Sequence, residues 1–213
     1  MEQKLQQVAE DFLKRIQEKL PTEKADKPSI VGIVGMIGSG RTLLAKTLAE
    51  NIKGAVLISA NSARYLLKEQ GLPWGENVYA CIFFVIEWLV GNGYVAVLDG
   101  NQVDKDRRER MKELTDKLGV KYYLLKIITS EATAEKYLRE KYSQAPKNTF
   151  EDFWPGTDAK DIVQNLHERN KDFYAIDQED PKPEFFAEIE NEGTIEEFKQ
   201  KAIEIAGKIG NVV

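Results

Sequence analysis

The chain has 213 residues, a length typical of one domain or of one domain with an added element. Apolar residues make up 42% of the sequence and charged residues 31%, which excludes disorder as its main state. The formal charge of -5 gives no general attraction to nucleic-acid phosphates, so a nucleic-acid partner is compatible with the sequence but not indicated by it.

The apolar runs and the single cysteine predict a cytoplasmic protein with no membrane contact. The longest apolar run, residues 80–90, is interrupted by Glu87 and is too short to cross a bilayer. Charges are scattered through the first twenty residues, unlike a signal peptide. Cys81 alone excludes an internal disulfide and a cysteine metal cluster, which suits a reducing compartment.

Residues 1–20 are predicted to form an amphipathic helix. Apolar residues recur there at helical spacing: Leu5, Val8, Phe12, Leu13, Ile16 and Leu20. Pro21 ends this pattern, and residues 21–28 are a predicted polar linker. The pattern favours packing of the helix against the chain's own domain over a contact with a partner or a second copy.

Residues 29–213 alternate short β-branched runs with longer helical patterns, which predicts an α/β domain. The expected architecture is a three-layer sandwich with a five-stranded parallel sheet. The expected strands are residues 30–34, 55–59, 94–98, 122–128 and 186–189. The expected helices are residues 41–52, 62–70, 77–90, 105–117, 132–142, 158–174 and 195–209. The connection over residues 143–157 is unusually long and indicates a lid.

A glycine-rich segment follows the first predicted strand and leads directly into a predicted helix. Gly35, four residues, Gly40, the cation Arg41 and the hydroxyl of Thr42 give the spacing of a phosphate-binding P-loop, with arginine in place of lysine. Glycines permit the bend that turns successive N–H groups toward one anion, and the helix N-terminus faces the same anion. The matched positions disfavour the alternative, a turn without a ligand. The predicted nucleotide contacts are Gly35, Ile37, Gly38, Ser39, Gly40, Arg41, Thr42 and Leu43.

With these residues the sequence resembles the P-loop kinase superfamily, in particular the small ATP-dependent kinases similar to polynucleotide kinases and zeta toxins. The resemblance covers most of residues 29–209 in element order. It implies binding of ATP and Mg²⁺ and transfer of a phosphoryl group to a hydroxyl acceptor. Arg41 stands where the family has its P-loop lysine and is a candidate catalytic residue. Arginine is longer, planar and forked, so this exchange is not conservative.

Asn61 and Arg64 follow the second predicted strand. The resembling kinases carry there an aspartate, which acts as general base on the acceptor, and an arginine, which helps to hold the substrate. An amide cannot accept a proton at neutral pH, so the residue at the catalytic position, Asn61, departs from the family's chemistry. Arg64 is the predicted substrate contact.

Asp99 directly follows the third predicted strand. The resemblance implies a carboxylate that organises Mg²⁺ directly or through water, so Thr42 and Asp99 are the predicted metal residues and Asp99 is also a catalytic candidate. A turn or cap aspartate is the alternative. Arg139 and Lys141 begin the lid-like segment near residues 139–157 and are candidates to close over the transferred group, with solvated surface charge as the alternative for both.

Two functions stay open at this point. The first is an ATP-dependent phosphotransferase that acts on a hydroxyl of a small molecule or of a nucleic-acid end. The second is a nucleotide-binding pseudokinase with a regulatory or scaffold role, which the departures at Arg41 and Asn61 favour. The first is preferred, because phosphoryl transfer depends more on positioning and charge stabilisation than on a strong base.

Overall fold

A computed structural model describes residues 2–143, 148–153 and 159–210. Its centre is a sheet of five parallel strands in the order β2-β3-β1-β4-β5, which confirms the predicted fold class. The strands are β1 (Ser29–Val34), β2 (Ala55–Ser59), β3 (Val95–Asn101), β4 (Lys121–Ile128) and β5 (Ala187–Glu190). All six residues of β1 are buried, as expected for a central strand covered on both faces.

The helices of the described residues follow the predicted alternation with one exception. They are α1 (Gln3–Gln17), α2 (Arg41–Asn51), α3 (Ala60–Glu69), α4 (Glu76–Gly91), α5 (Lys105–Leu118), α6 (Glu131–Tyr142), α7 (Ala159–Gln164), α8 (Leu166–Arg169), α9 (Lys171–Ala175) and α10 (Ile195–Gly210). The prediction of one helix over residues 158–174 is wrong. The chain leaves helical geometry at Asn165 and Asn170, so this segment forms the three short helices α7, α8 and α9.

Alternate residues of β1, β2 and β3 enter two separate apolar layers. On one face, Ile30, Ile58 and Leu98 pack with buried residues of α1, α3, α4 and α5. On the other face, Val31 and Val97 pack with buried residues of α2 and α10. The arrangement is therefore the expected three-layer sandwich, and it places the carboxyl ends of the strands at one edge of the sheet, where such folds bind ligands.

The apolar side of α1 is part of the domain core. Val8 and Phe12 of α1 are at most 1% exposed and lie in the same cluster as residues of α3 and α4. The Phe12 ring meets the Phe150 ring edge to face, with 5.9 Å between centroids. The face that an external partner would need is thus covered by the chain's own residues.

Two local features position the candidate site. The strand β3 extends past the predicted end at Leu98 to Asn101, with a register shift against β1, so that Asp99 lies inside the strand. Of the predicted lid-like segment, the structure describes residues 139–143 and 148–153, whereas residues 144–147 and 154–157 lie outside the described residues. Within the described part of the chain, no helix has the length and apolar content needed to cross a membrane.

Candidate functional site

The phosphate loop, residues 35–42, connects β1 to α2 and depends on glycine at positions where a side chain would collide. Gly38 and Gly40 have φ values of 88° and 94°, in the left-handed region that favours glycine. A Cβ on Gly38 would lie 2.6 Å from the backbone oxygen of Ala134, and one on Gly40 would lie 2.7 Å from Nδ2 of Asn191. The loop is therefore pressed between α6 and the turn after β5.

Three asparagines hold the phosphate loop from outside. They come from β3, from the junction of α8 and α9, and from the turn after β5. The contacts are Gly35 N–H to Asn101 Oδ1 at 3.4 Å, Ile37 N–H to Asn170 Oδ1 at 2.8 Å, and Asn191 Nδ2 to the Ser39 carbonyl at 2.9 Å. Because these bonds come from outside, they set the loop's shape without a ligand. They also use the amide of Ile37, one of the predicted nucleotide contacts.

The remaining amides of the phosphate loop are the groups available to an anion. Among the residues that the structure describes, the N–H groups of Gly38, Gly40, Arg41, Thr42 and Leu43 have no hydrogen-bond partner. The last three belong to the first turn of α2, where N–H groups point out of the helix end. Successive N–H groups beside left-handed glycines form an anion-binding concavity, reinforced by the positive end of the helix dipole.

Thr42 and Asp99 meet beside these amides. The Thr42 hydroxyl donates a hydrogen bond of 3.1 Å to Asp99 Oδ1. Burial raises the pKa of Asp99, while Arg41, the Thr42 hydroxyl, Lys141 and Lys46 oppose that shift. A hydroxyl and a carboxylate side by side are oxygen ligands of the kind that Mg²⁺ prefers, so both predicted metal residues lie in one place.

Arg41 lies half-buried along the loop. Its Cγ would be 3.2 Å from a Cβ on Gly35, so the missing side chain at Gly35 makes room for the arginine stem. Burial lowers the pKa of Arg41, against the attraction of Asp99. Its Nη1 is withdrawn from solvent and has no hydrogen-bond partner among the described residues. Arg41 therefore presents a desolvated donor at the site, which an anionic ligand would satisfy.

Asn61 and Arg64 are paired on α3. Asn61 lies in the first turn of this helix, which starts at Ala60, and Arg64 Nη1 donates 2.7 Å to Asn61 Oδ1. The amide oxygen thus orients the guanidinium. Burial lowers the pKa of Arg64, with Tyr79 and Asp99 opposing the shift and Arg107 adding to it. The positive charge of Arg64 also contributes to the lowered pKa of Arg41, whose main cause is burial.

The two lid candidates have different positions. Arg139 forms an ion pair with Glu135 at 2.6 Å on the solvent-facing side of α6, where 65% of its side chain is exposed. Lys141 interacts electrostatically with Asp99. Desolvation lowers the pKa of Lys141, while Asp99 and Asp152 oppose this shift. The structure brings Lys141 toward Asp99 and leaves Arg139 engaged with its helix neighbour.

Several site residues carried no distinctive sequence signal. The guanidinium of Arg107, in the mixed-charge helix α5, lies 3.9 Å from the centre of the Tyr79 ring, whose hydroxyl donates to the Asn101 carbonyl. Lys46 lies one turn into α2, and its positive charge opposes the rise in the pKa of Asp99. Asn170 lies in a segment for which the helical periodicity predicts one continuous helix, so its contact with the phosphate loop was not predicted. An asparagine within a helical pattern is a weak helix-breaking signal, and this segment contains two, Asn165 and Asn170.

A family model described as an AAA domain matches residues 30–173, which is more than half of the chain. The chain belongs to this family. The match runs from β1 into α9, so this AAA domain includes the phosphate loop, Asn61, Arg64 and Asp99. The resemblance to the P-loop kinase superfamily is thereby confirmed. No curated protein matches the sequence.

Solved structures show the same fold. A gluconokinase from Sinorhizobium meliloti has 14% identity and a TM-score of 0.54 over 88% of this chain and 95% of its own. The APS kinase CysC from Mycobacterium tuberculosis has 13% identity and a TM-score of 0.53 over 85% and 98%. Kti12 from Chaetomium thermophilum has 10% identity and a TM-score of 0.58 over 84% and 97%. Fold and family together support a nucleotide-binding, kinase-like function for this AAA domain.

Proposed function

We propose that this AAA domain binds ATP with Mg²⁺ and transfers the γ-phosphoryl group to a hydroxyl group of a small molecule or of a nucleic-acid end. The observation that carries the proposal is the row of phosphate-loop N–H groups, beside the Thr42–Asp99 pair, for which the described residues provide no acceptor. Two neighbours of the same fold support this ligand class: CysC was solved with AMPPNP and APS, and Kti12 with ADP-AlF3.

The residues present fit a magnesium ion that arrives with a nucleotide. Within the described residues, no group of three or more acidic, histidine or cysteine side chains could hold a metal by itself. Mg²⁺ commonly takes one carboxylate, phosphate oxygens and water, and Thr42 with Asp99 supplies the protein's share. When bound, Mg²⁺ would neutralise charge that develops on the phosphate oxygens.

Arg41 supplies the charge that the P-loop lysine supplies in the resembling kinases. Its stem passes over Gly35, and its Nη1, which has no acceptor among the residues the structure describes, lies in the same half-buried region as Asp99. A guanidinium binds phosphate through two parallel hydrogen bonds. Such a group stabilises negative charge on the transferred phosphoryl group without moving, because the surrounding packing already holds it in place.

In the proposed transfer, the acceptor oxygen forms a bond to the γ-phosphorus while the bond from that phosphorus to the bridging oxygen of ADP breaks. The proton of the acceptor hydroxyl goes to Asp99 Oδ2, because Oδ1 is engaged by Thr42 and Asn61 cannot take a proton. The lack of a dedicated base at Asn61 is expected to slow turnover by a factor of about 10² to 10⁴. We therefore expect a slow enzyme.

Calorimetry with Mg²⁺ and AMPPNP tests nucleotide binding. The parent and Gly119→Val are expected to bind, and Gly40→Val is expected not to. Gly119 also has a positive φ of 67°, but nothing lies within 4 Å of its added Cβ, and it precedes β4 at the opposite edge of the sheet. Absence of binding to the parent, or equal binding to Gly40→Val, would contradict the proposal.

A nucleotide-binding pseudokinase is the second candidate. It is favoured by Asn61, whose oxygen is engaged by Arg64, and by the arginine at position 41. This candidate predicts no ATP turnover by the parent and measurable turnover after the double change Arg41→Lys and Asn61→Asp. Sustained release of ADP by the parent, absent from Asp99→Asn, would exclude it and support the phosphotransferase.

A further inference from the structure

We infer that the acceptor of the proposed phosphotransfer carries an anionic group, a phosphate, sulfate or carboxylate, which Arg107 binds together with Arg64. This inference rests on the proposed function and adds a substrate class to it. The two arginines come from α5 and α3, neither of which is part of the phosphate loop.

The Arg107 guanidinium is held in a fixed place. It stacks on the buried Tyr79 ring at 3.9 Å, and the Tyr79 hydroxyl is bonded to the carbonyl of Asn101 at 3.2 Å. Stacking on an aromatic face leaves the edge of a guanidinium open for hydrogen bonds in its own plane. Arg107 is thus oriented before any ligand arrives.

The charge of Arg107 is only partly compensated. Its Nη2 lies 3.5 Å from Glu76, which is 68% exposed and makes a shorter contact of 2.9 Å with Arg110. Its Nε is withdrawn from solvent without an acceptor among the described residues. A buried donor without a partner is unfavourable, and an anionic ligand would remove that cost.

Arg64 adds a second positive charge to the same region. One of its five donors is used by Asn61, and its carbonyl is held by Trp74 Nε1 at 3.2 Å. Burial is the main cause of the lowered pKa of Arg64, and the nearby positive charge of Arg107 adds to it. In a chain with a net charge of -5, this local concentration of positive charge near Asp99 favours an anionic ligand.

The two arginines are not required for the nucleotide. The phosphate loop supplies unpaired amides and Arg41 for the triphosphate, and Thr42 with Asp99 supplies the metal ligands. Arg64 precedes the turn that contains Trp74, and Arg107 lies on α5, so both belong to elements that do not form the loop. Their natural ligand is therefore the molecule that receives the phosphoryl group.

Inorganic phosphate is the probe for this site. It is titrated into the parent saturated with Mg²⁺ and AMPPNP, so that the phosphate loop is already occupied. We expect one further phosphate to bind, and Arg107→Gln or Arg64→Gln to weaken that binding about tenfold to a hundredfold. Lys112→Gln removes one charge from an exposed position of α5 and is expected to leave the binding unchanged. Arg107→Lys, which retains charge but not the fork, is expected to restore it in part.

The test separates this inference from the proposed function. The AMPPNP affinity of Arg107→Gln is expected to equal that of the parent, which also shows that the variant folds. The Gly40→Val variant has a blocked phosphate loop and is expected to bind phosphate at the arginine pair without nucleotide. Normal AMPPNP binding without a second phosphate site, or a phosphate affinity unaffected by Arg107→Gln, would overturn the inference. Failure of AMPPNP to bind the parent would overturn the proposed function alone.

Discussion

Replacing Gly40 by alanine tests the packing that shapes the phosphate loop. Gly40 has a φ of 94°, and the left-handed region costs a residue with a Cβ about 1–2 kcal/mol. The new Cβ would lie 2.7 Å from Nδ2 of Asn191, which is 3% exposed and therefore has no solvent to move into. Displacing Asn191 breaks its 2.9 Å bond to the Ser39 carbonyl, which costs about 1–3 kcal/mol when the carbonyl stays unpaired.

The two contributions add to a loss of about 2–5 kcal/mol in the free energy of unfolding of Gly40→Ala. For a chain of this size, each kcal/mol lowers the melting temperature by about 2–4 °C. The matched control is Gly119→Ala, which has a similar φ of 67° and open space around the added Cβ. It should lose only the backbone contribution of about 1–2 kcal/mol.

Urea unfolding and AMPPNP calorimetry on both variants measure the difference. Gly40→Ala is expected to lose at least tenfold in nucleotide affinity, and Gly119→Ala to lose none. Asn191→Ala removes the side chain that the new Cβ would strike, so the double variant should be more stable than the two single losses predict by about 1 kcal/mol. Equal stability losses in the two alanine variants, or full additivity in the double variant, would refute the reasoning.

Three further predictions concern other parts of the chain. Burial raises the pKa of Asp99, so its ionised carboxylate destabilises the folded chain at neutral pH. Asp99→Asn is therefore expected to have a higher melting temperature than the parent at pH 8, and this difference should shrink as the pH falls through the raised pKa. The same variant is expected to produce ADP about 10² to 10⁴-fold more slowly. Phe12→Ala is expected to lose about 3–5 kcal/mol in urea unfolding because Phe12 is fully buried, whereas the exposed Lys14→Ala should stay within about 0.5 kcal/mol; equal losses would contradict the packing of α1. Burial raises the pKa of Cys81 to about 11, so iodoacetamide at pH 8 is expected to label the unfolded chain and not the native one.

The sequence alone was sufficient for the architecture and for the phosphate loop. The continuous apolar run from Ile30 to Val34 predicts a strand, because a strand covered on both faces needs apolar residues on both of them. The phosphate loop could also be predicted, because its backbone geometry involves only a few consecutive residues and requires Gly35, Gly40 and Thr42 at a fixed spacing. The family match over residues 30–173 agrees with that prediction.

The site's side-chain pairings came only from the tertiary structure. Thr42 and Asp99 are 57 residues apart, Ile37 and Asn170 are 133 apart, and Ser39 and Asn191 are 152 apart. Asn170 also ends a helix within a segment for which periodicity predicts one continuous helix. Arg107 stacks on Tyr79, although it lies on a helix whose mixed charges are typical of an exposed surface. Local propensity acts over a few residues, whereas these contacts depend on how the strands and helices pack, so periodicity and motif spacing could not specify them.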